Sequence, residues 1–166
     1  MRIKFILLGF ISLLLSCHGA FAEGDIQRKN INFTEENLVG IWKLDKFSYK
    51  YLSGKDSFDS IYITFKSDST FEMNNSKHLF DSDANKFFLT NNTPDTVAIL
   101  DNVLTNGYWK IHRLQMPDYN ITSLDLIYDD KSVQSGLSIY KKDTVYQIWH
   151  FFGDPDSGER LRFLKE

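Results

Sequence analysis

From Gly40 onward, apolar residues recur at every second position over short stretches separated by turn formers, the pattern of half-buried strands rather than helices. Ile61, Ile63 and Phe65 alternate with Tyr62, Thr64 and Lys66. Lys66-Ser67-Asp68-Ser69 reads as a tight turn, and Phe71 and Met73 resume the phase on the returning strand. Earlier, Trp42 and Leu44 share one phase while Phe47, Tyr49 and Tyr51 share the other. That change of phase predicts a bulge near Asp45-Lys46. Further strands are expected at Phe87-Phe88-Leu89, at 97–100, at Gly107-Tyr108-Trp109-Lys110-Ile111 and around Leu124, Leu126 and Tyr128. Leu137 and Ile139 follow, then the most aromatic run, 145–152, and a hairpin through 153–158 into 160–164. Turn signals stand between them at 53–56, 91–94, 116–120 and Asp129-Asp130-Lys131. Eight to ten strands joined mainly by short turns predict an all-β fold, an antiparallel up-and-down barrel over 34–166.

The stretch before this pattern carries a different signal. Met1-Arg2-Ile3-Lys4 is a short positive region, and 5–15 is an apolar run too short to span a bilayer as a helix. Together they predict a signal peptide over 1–16. Leu14-Leu15-Ser16-Cys17 fits the lipobox of bacterial lipoproteins, in which Cys17 is lipidated and becomes the first residue. The alternative is cleavage after Ala20-Phe21-Ala22, releasing a soluble periplasmic or secreted domain that begins at Glu23. Either reading exports the protein, and the first anchors it to the cell envelope, at the outer membrane. Residues 17–33 show no periodicity and read as a flexible tether. Cys17 is the only cysteine, so the domain contains no internal disulfide and relies on its core.

The chain can build that core. Of its 166 residues 42% are apolar, with 14 Phe, 8 Tyr and 3 Trp, too many to leave disordered. Lys and Arg number 19 against 22 Asp and Glu. Removing Arg2 and Lys4 with the leader leaves 17 against 22, a net of −5, with the charges dispersed. An acidic domain without a basic stripe argues against nucleic-acid binding.

The opening Gly40-Ile41-Trp42, preceded by the turn-like Thr34-Glu35-Glu36-Asn37, resembles the first motif of the lipocalin superfamily. With the 65–71 turn and the aromatic closing hairpin, residues 34–166 resemble the lipocalin-like domains of small exported bacterial lipoproteins. Gly40 allows a sharp entry into the barrel, and Trp42 supplies a large apolar plug with one polar handle for its closed end. The resemblance implies an arginine packed across that tryptophan, and Arg160 and Arg162 are the matching positions. The competing reading leaves both arginines facing solvent. The resemblance also implies a small apolar or amphipathic ligand held in the barrel.

Several clusters are candidates for chemistry. Tyr49, Tyr51, Tyr62, Trp109, His112, Tyr128 and Trp149 are amphipathic side chains suited to lining a ligand cavity, and equally suited to packing a core. His112 and His150 are placed to face such a cavity together. Asp154, Asp156 and Glu159, with Gly158, have the alternating oxygens and bend of a calcium loop, while the same residues also make an ordinary hairpin turn. No histidine pair stands at a metal-binding spacing, and no cofactor motif occurs. The sequence contains no nucleophile elbow, phosphate loop or zinc-protease motif, so a catalytic role has no named residue. The expectation is a lipid-anchored, non-enzymatic binding barrel. Its alternative is a filled barrel that docks another envelope protein, with an enzyme using the cavity as the remote third.

Overall fold

The computed structural model describes residues 26–51, 61–75, 77–80, 103–152, 155–158 and 160–166. Its strands are β1 (Ile26–Gln27), β2 (Gly40–Leu44), β3 (Tyr62–Phe65), β4 (Thr70–Met73) and β5 (Thr105–Gln115), followed by β6 (Asn120–Tyr128), β7 (Val133–Lys142), β8 (Val145–Phe151) and β9 (Arg160–Lys165). One helical turn, α1 (Glu35–Leu38), precedes β2, and 3-10 turns cover Lys46–Tyr51, Lys77–Phe80 and Pro155–Ser157. From β2 to β9 each strand pairs antiparallel with the next, and β9 returns to β2. The result is a closed eight-stranded barrel with β1 as an extra strand. Closure leaves the eight strands without a free edge.

The period-two patterns of the sequence map directly onto this wall. In β3 and β4, Ile63, Phe65, Phe71 and Met73 point inward and are buried, while Tyr62, Thr64, Thr70 and Glu72 alternate with them. Ser69 closes their turn with φ +66°, and Asp68 accepts hydrogen bonds from the amide (3.0 Å) and hydroxyl (2.6 Å) of Thr70. The inward rows of β6 to β9 supply Leu124, Leu126, Leu137, Ile139, Ile148, Leu161 and Phe163, each with no accessible surface. A side chain with no accessible surface touches no water-sized void, so these positions are closely packed.

The two Gly-x-Trp sequences both enter the core, through glycines needed for different reasons. Gly40 has φ +133°, a conformation that strains any residue with a Cβ. Gly107 is needed for space: a Cβ there would lie 2.2 Å from the carbonyl oxygen of Ile127 on β6 and 2.8 Å from the Phe71 ring.

Two local expectations are corrected. The bulge placed near Asp45-Lys46 is instead the end of β2, and the Phe47, Tyr49, Tyr51 series lies on a 3-10 turn rather than a strand. The flexible tether drawn over 17–33 does not describe residues 26–33. β1 pairs with the end of β7 (Ile26 opposite Lys142, Gln27 opposite Lys141), beyond the point where β6 leaves β7 at Ser138. Lys29 bridges to Ile121, and Asn30 exchanges two 2.9 Å bonds with the backbone of Asn120. The segment thus fills the gap between diverging strands and carries Ile31 and Phe33 into the core. The signal peptide, the lipobox with Cys17, the alternative cleavage site, the 53–56 turn and the expected elements of 87–100 lie outside the described residues.

Candidate functional site

Trp42 is fully buried at the α1 end of the barrel. Its indole donates to the Leu38 carbonyl (2.7 Å), and Phe33 and Phe65 meet it edge-on at 6.4 and 6.5 Å. Thr34 and Asn37 cap α1 reciprocally, which fixes the Leu38 carbonyl beneath the indole. The expected arginine across Trp42 is not there. Lys165, opposite Trp42 in the β2–β9 register, is the cation at this end: its Nζ donates to the Asn37 carbonyl at 2.7 Å. Burial holds that ammonium below its ordinary pKa.

Arg160 and Arg162 project from the opposite face of β9, because Leu161 and Phe163 occupy the inward phase. The guanidinium of Arg162 pairs with Asp45, donating from Nε at 2.6 Å, and lies 4.8 Å from the Phe47 ring centre. Arg160 is 4% exposed; it donates to the Gly158 carbonyl (2.8 Å) and lies over Trp149 at 4.0 Å and Phe47 at 4.7 Å. Neither arginine is therefore simply solvent-facing, and neither closes the barrel end.

The seven expected cavity residues separate into distinct places. Trp109 and Tyr128 are buried inside the wall; Trp109 donates to the Lys66 carbonyl (3.2 Å) and Tyr128 meets Phe71 edge-on. Tyr51 is buried against Phe47 and Phe152, and Tyr49 packs on the core from the same 3-10 turn. Tyr62 is half-buried, in the phase opposite to Ile63. His112 is on the outside, 2.9 Å from Asp125, whereas His150 sits between the rings of Phe80 and Phe152. The two histidines do not share a cavity. Trp149, the seventh, is on the outer face: Ile148 takes the inward position beside it, and Ser138 and Arg162 are its cross-strand neighbours.

Trp149 organises the most developed site among the described residues. Its ring stacks on Tyr140 of β7 (centroids 4.0 Å apart, planes 24° apart), and its indole donates to the Gln147 side chain at 2.8 Å. Phe151 meets both rings edge-on. Arg28, just after β1, lies over Tyr140 at 5.8 Å, so the order is guanidinium, phenol ring, indole, guanidinium. Beside this column opens a cleft of about 330 Å³, lined by Ile26 and Arg28, by the column and Phe151, and by the exposed Pro155 and Asp156. That volume lies at the lower end of small-molecule sites. Burial raises the Tyr140 phenol above its ordinary pKa, and the two arginines pull it back.

A second cleft of about 310 Å³ includes Lys77, His78, Tyr128 and Asp130. Its lysine is already committed, since Lys77 pairs with Asp130 and donates to Ser132 at 3.1 Å. The hydrogen bond from Lys77 to Asp130, with those from Ser132, holds the Asp130 carboxyl well below the usual carboxylate range.

No three His, Cys, Asp or Glu side chains come together as a metal site among the described residues. Of the calcium-loop positions, Asp156 is exposed and lines the cleft, while Asp154 and Glu159 lie outside the described residues. No helix among the described residues is long and apolar enough to cross a membrane. No family model matches the chain, nor does any curated protein or solved structure.

Sequence reasoning missed Tyr140, Arg28, Phe151 and Ile26 as site residues. The signal available was the 145–152 run itself, apolar in both phases, which marks a strand covered on both faces.

Proposed function

We propose that this protein is a non-enzymatic, lipocalin-like binding barrel of the cell envelope, exported and held by a lipid on Cys17. Its ligand site is the outer cleft at Tyr140 and Trp149 rather than the barrel lumen. One observation carries the reading: an exposed arginine, a buried arginine and three aromatic rings converge on an open cleft, while Leu137, Ile139, Ile148, Leu161 and Phe163 on the inner side of the same strands have no accessible surface. Burying Arg160 is expensive unless its charge is satisfied and its plane is covered, so the cluster costs more than an apolar patch would. The acidic balance of the exported part and the lack of a basic stripe support a small-molecule or protein partner over nucleic acid.

Native mass spectrometry of the protein extracted gently from its own membranes tests this. The expected result is a chain beginning at a diacylglycerol-modified Cys17 that carries a noncovalent small-molecule adduct, lost in Phe151→Ala. An adduct that survives Phe151→Ala and disappears in Tyr128→Phe would return the ligand to the lumen. A chain beginning at Glu23 would replace the anchored form with a soluble one.

A further inference from the structure

The charges around the cleft define the class of ligand more narrowly, given that the cleft is the binding site. We infer that it takes a small organic anion, one carboxylate-like group on a compact apolar body. The stacked faces of Tyr140 and Trp149 cover each other, and the remaining faces are covered by Arg28 and Arg160. An incoming cation therefore finds no open ring face on this pair and meets two guanidinium groups. An anion meets them favourably, and a planar guanidinium can donate two parallel hydrogen bonds to a carboxylate. Arg28 is the available donor. It is exposed, lines the cleft and touches the Tyr140 ring, which leaves its N–H groups open to water and to a ligand there. Arg160 is more constrained, held by the Gly158 carbonyl and by the two rings that its plane covers, so Arg28 is the ligand's partner. Asp156 in the cleft lining is the opposing charge, and it disfavours a second negative group on the ligand. Ile26, Phe151 and Pro155 offer the apolar contacts for the body.

Because Ile26 and Arg28 come from the β1 segment while Tyr140, Trp149 and Arg160 belong to the barrel, the site is composite. A bound anion bridges the two and holds the N-terminal segment in the gap between β6 and β7.

The test is an NMR titration of the ¹⁵N-labelled protein, carrying its native N-terminus, with benzoate, benzamide and benzylamine. Benzoate is expected to move the Trp149 indole and Arg28 side-chain signals and to bind tighter than the other two. Arg28→Gln should weaken benzoate at least about tenfold, the loss of one charge-assisted hydrogen bond. Arg28→Lys should weaken it less. Arg28 is exposed, so these variants fold, and unchanged spectra away from the cleft check that. If benzamide or benzylamine moves the same signals with equal or higher affinity, the anion assignment is overturned while the cleft stands as the site. If no probe moves the Trp149 signal at millimolar concentration, the cleft itself is not the site. Slower amide exchange in residues 26–30 with benzoate bound supports the bridge, and unchanged exchange there overturns it.

Discussion

Trp42 and Trp149 are both strand tryptophans with almost no accessible surface and an indole N–H on a protein acceptor, yet their surroundings have little else in common. Trp42 is met edge-on by phenylalanines more than 6 Å away, on a floor made by a capped helical turn. Trp149 has a tyrosine ring on one face and a guanidinium on the other, each at 4.0 Å. The first arrangement yields stability from apolar burial and asks nothing of its neighbours' charge. The second gathers costly groups on the outside of a barrel that is already closed and has a packed row behind them. A barrel that needed only to fold would have little reason to bury Arg160 there.

Substitutions sharpen this contrast, and the largest expected effect is at the interior. Trp42→Ala should lower unfolding free energy by about 3–5 kcal/mol in denaturant titration, because it removes a fully buried indole and leaves a cavity. Gly107→Ala should cost about 1–3 kcal/mol, since the new methyl collides with a backbone carbonyl that cannot retreat without opening the β5–β6 ladder. Trp149→Ala should cost about 1–3 kcal/mol, the loss of stacking and cation–π contacts on the barrel's outer face, and should abolish anion binding. A Trp149→Ala loss equal to that of Trp42→Ala would erase the distinction between scaffold and site.

The smallest effect is electrostatic. Arg28→Gln should change stability by less than about 0.5 kcal/mol and raise the Tyr140 pKa further above its ordinary 10.0, since one of the two charges that pull it down is removed. The sign follows from linkage. A phenol whose folded pKa is raised is favoured neutral in the fold, so its contribution is complete below the unfolded value of 10.0 and is lost as pH rises through the folded pKa. Ring-carbon NMR of Tyr140 in the parent and Arg28→Gln proteins between pH 9 and 12 reads both midpoints. A downward shift in the variant would place Arg28 away from the ring.

The same contrast explains what could be read from the sequence. Where one face of a strand is wet, as from Ile61 to Met73, alternation fixes strand, turn and inward row together. Where both faces are covered, alternation vanishes. The run Tyr146-Gln147-Ile148-Trp149-His150-Phe151 reads as a strand but does not say which face Trp149 takes, and the barrel's interior is the natural first assignment. Register corrected Arg160 and Arg162 in the same way: they share a phase, and it is that of Trp149 rather than Trp42. Residues 26–33 escaped because a two-residue strand, Ile26–Gln27, running into the polar Arg28-Lys29-Asn30 has no period to detect. The Phe47, Tyr49, Tyr51 series misled because three aromatics are too few to establish a period, and the backbone there winds as a 3-10 turn in which residues two apart point different ways.

The three tryptophans make the most direct test of the central claim, because Trp42 and Trp109 report on the barrel interior and Trp149 on the outer cleft. The measurement is to follow their three indole N–H signals while adding benzoate and, separately, palmitate as a lumen-seeking lipophile. Benzoate is expected to move Trp149 alone, with Trp42 and Trp109 fixed in either compound. Palmitate moving Trp42 or Trp109 while Trp149 is unaffected by both would contradict that expectation and make the lumen the binding site.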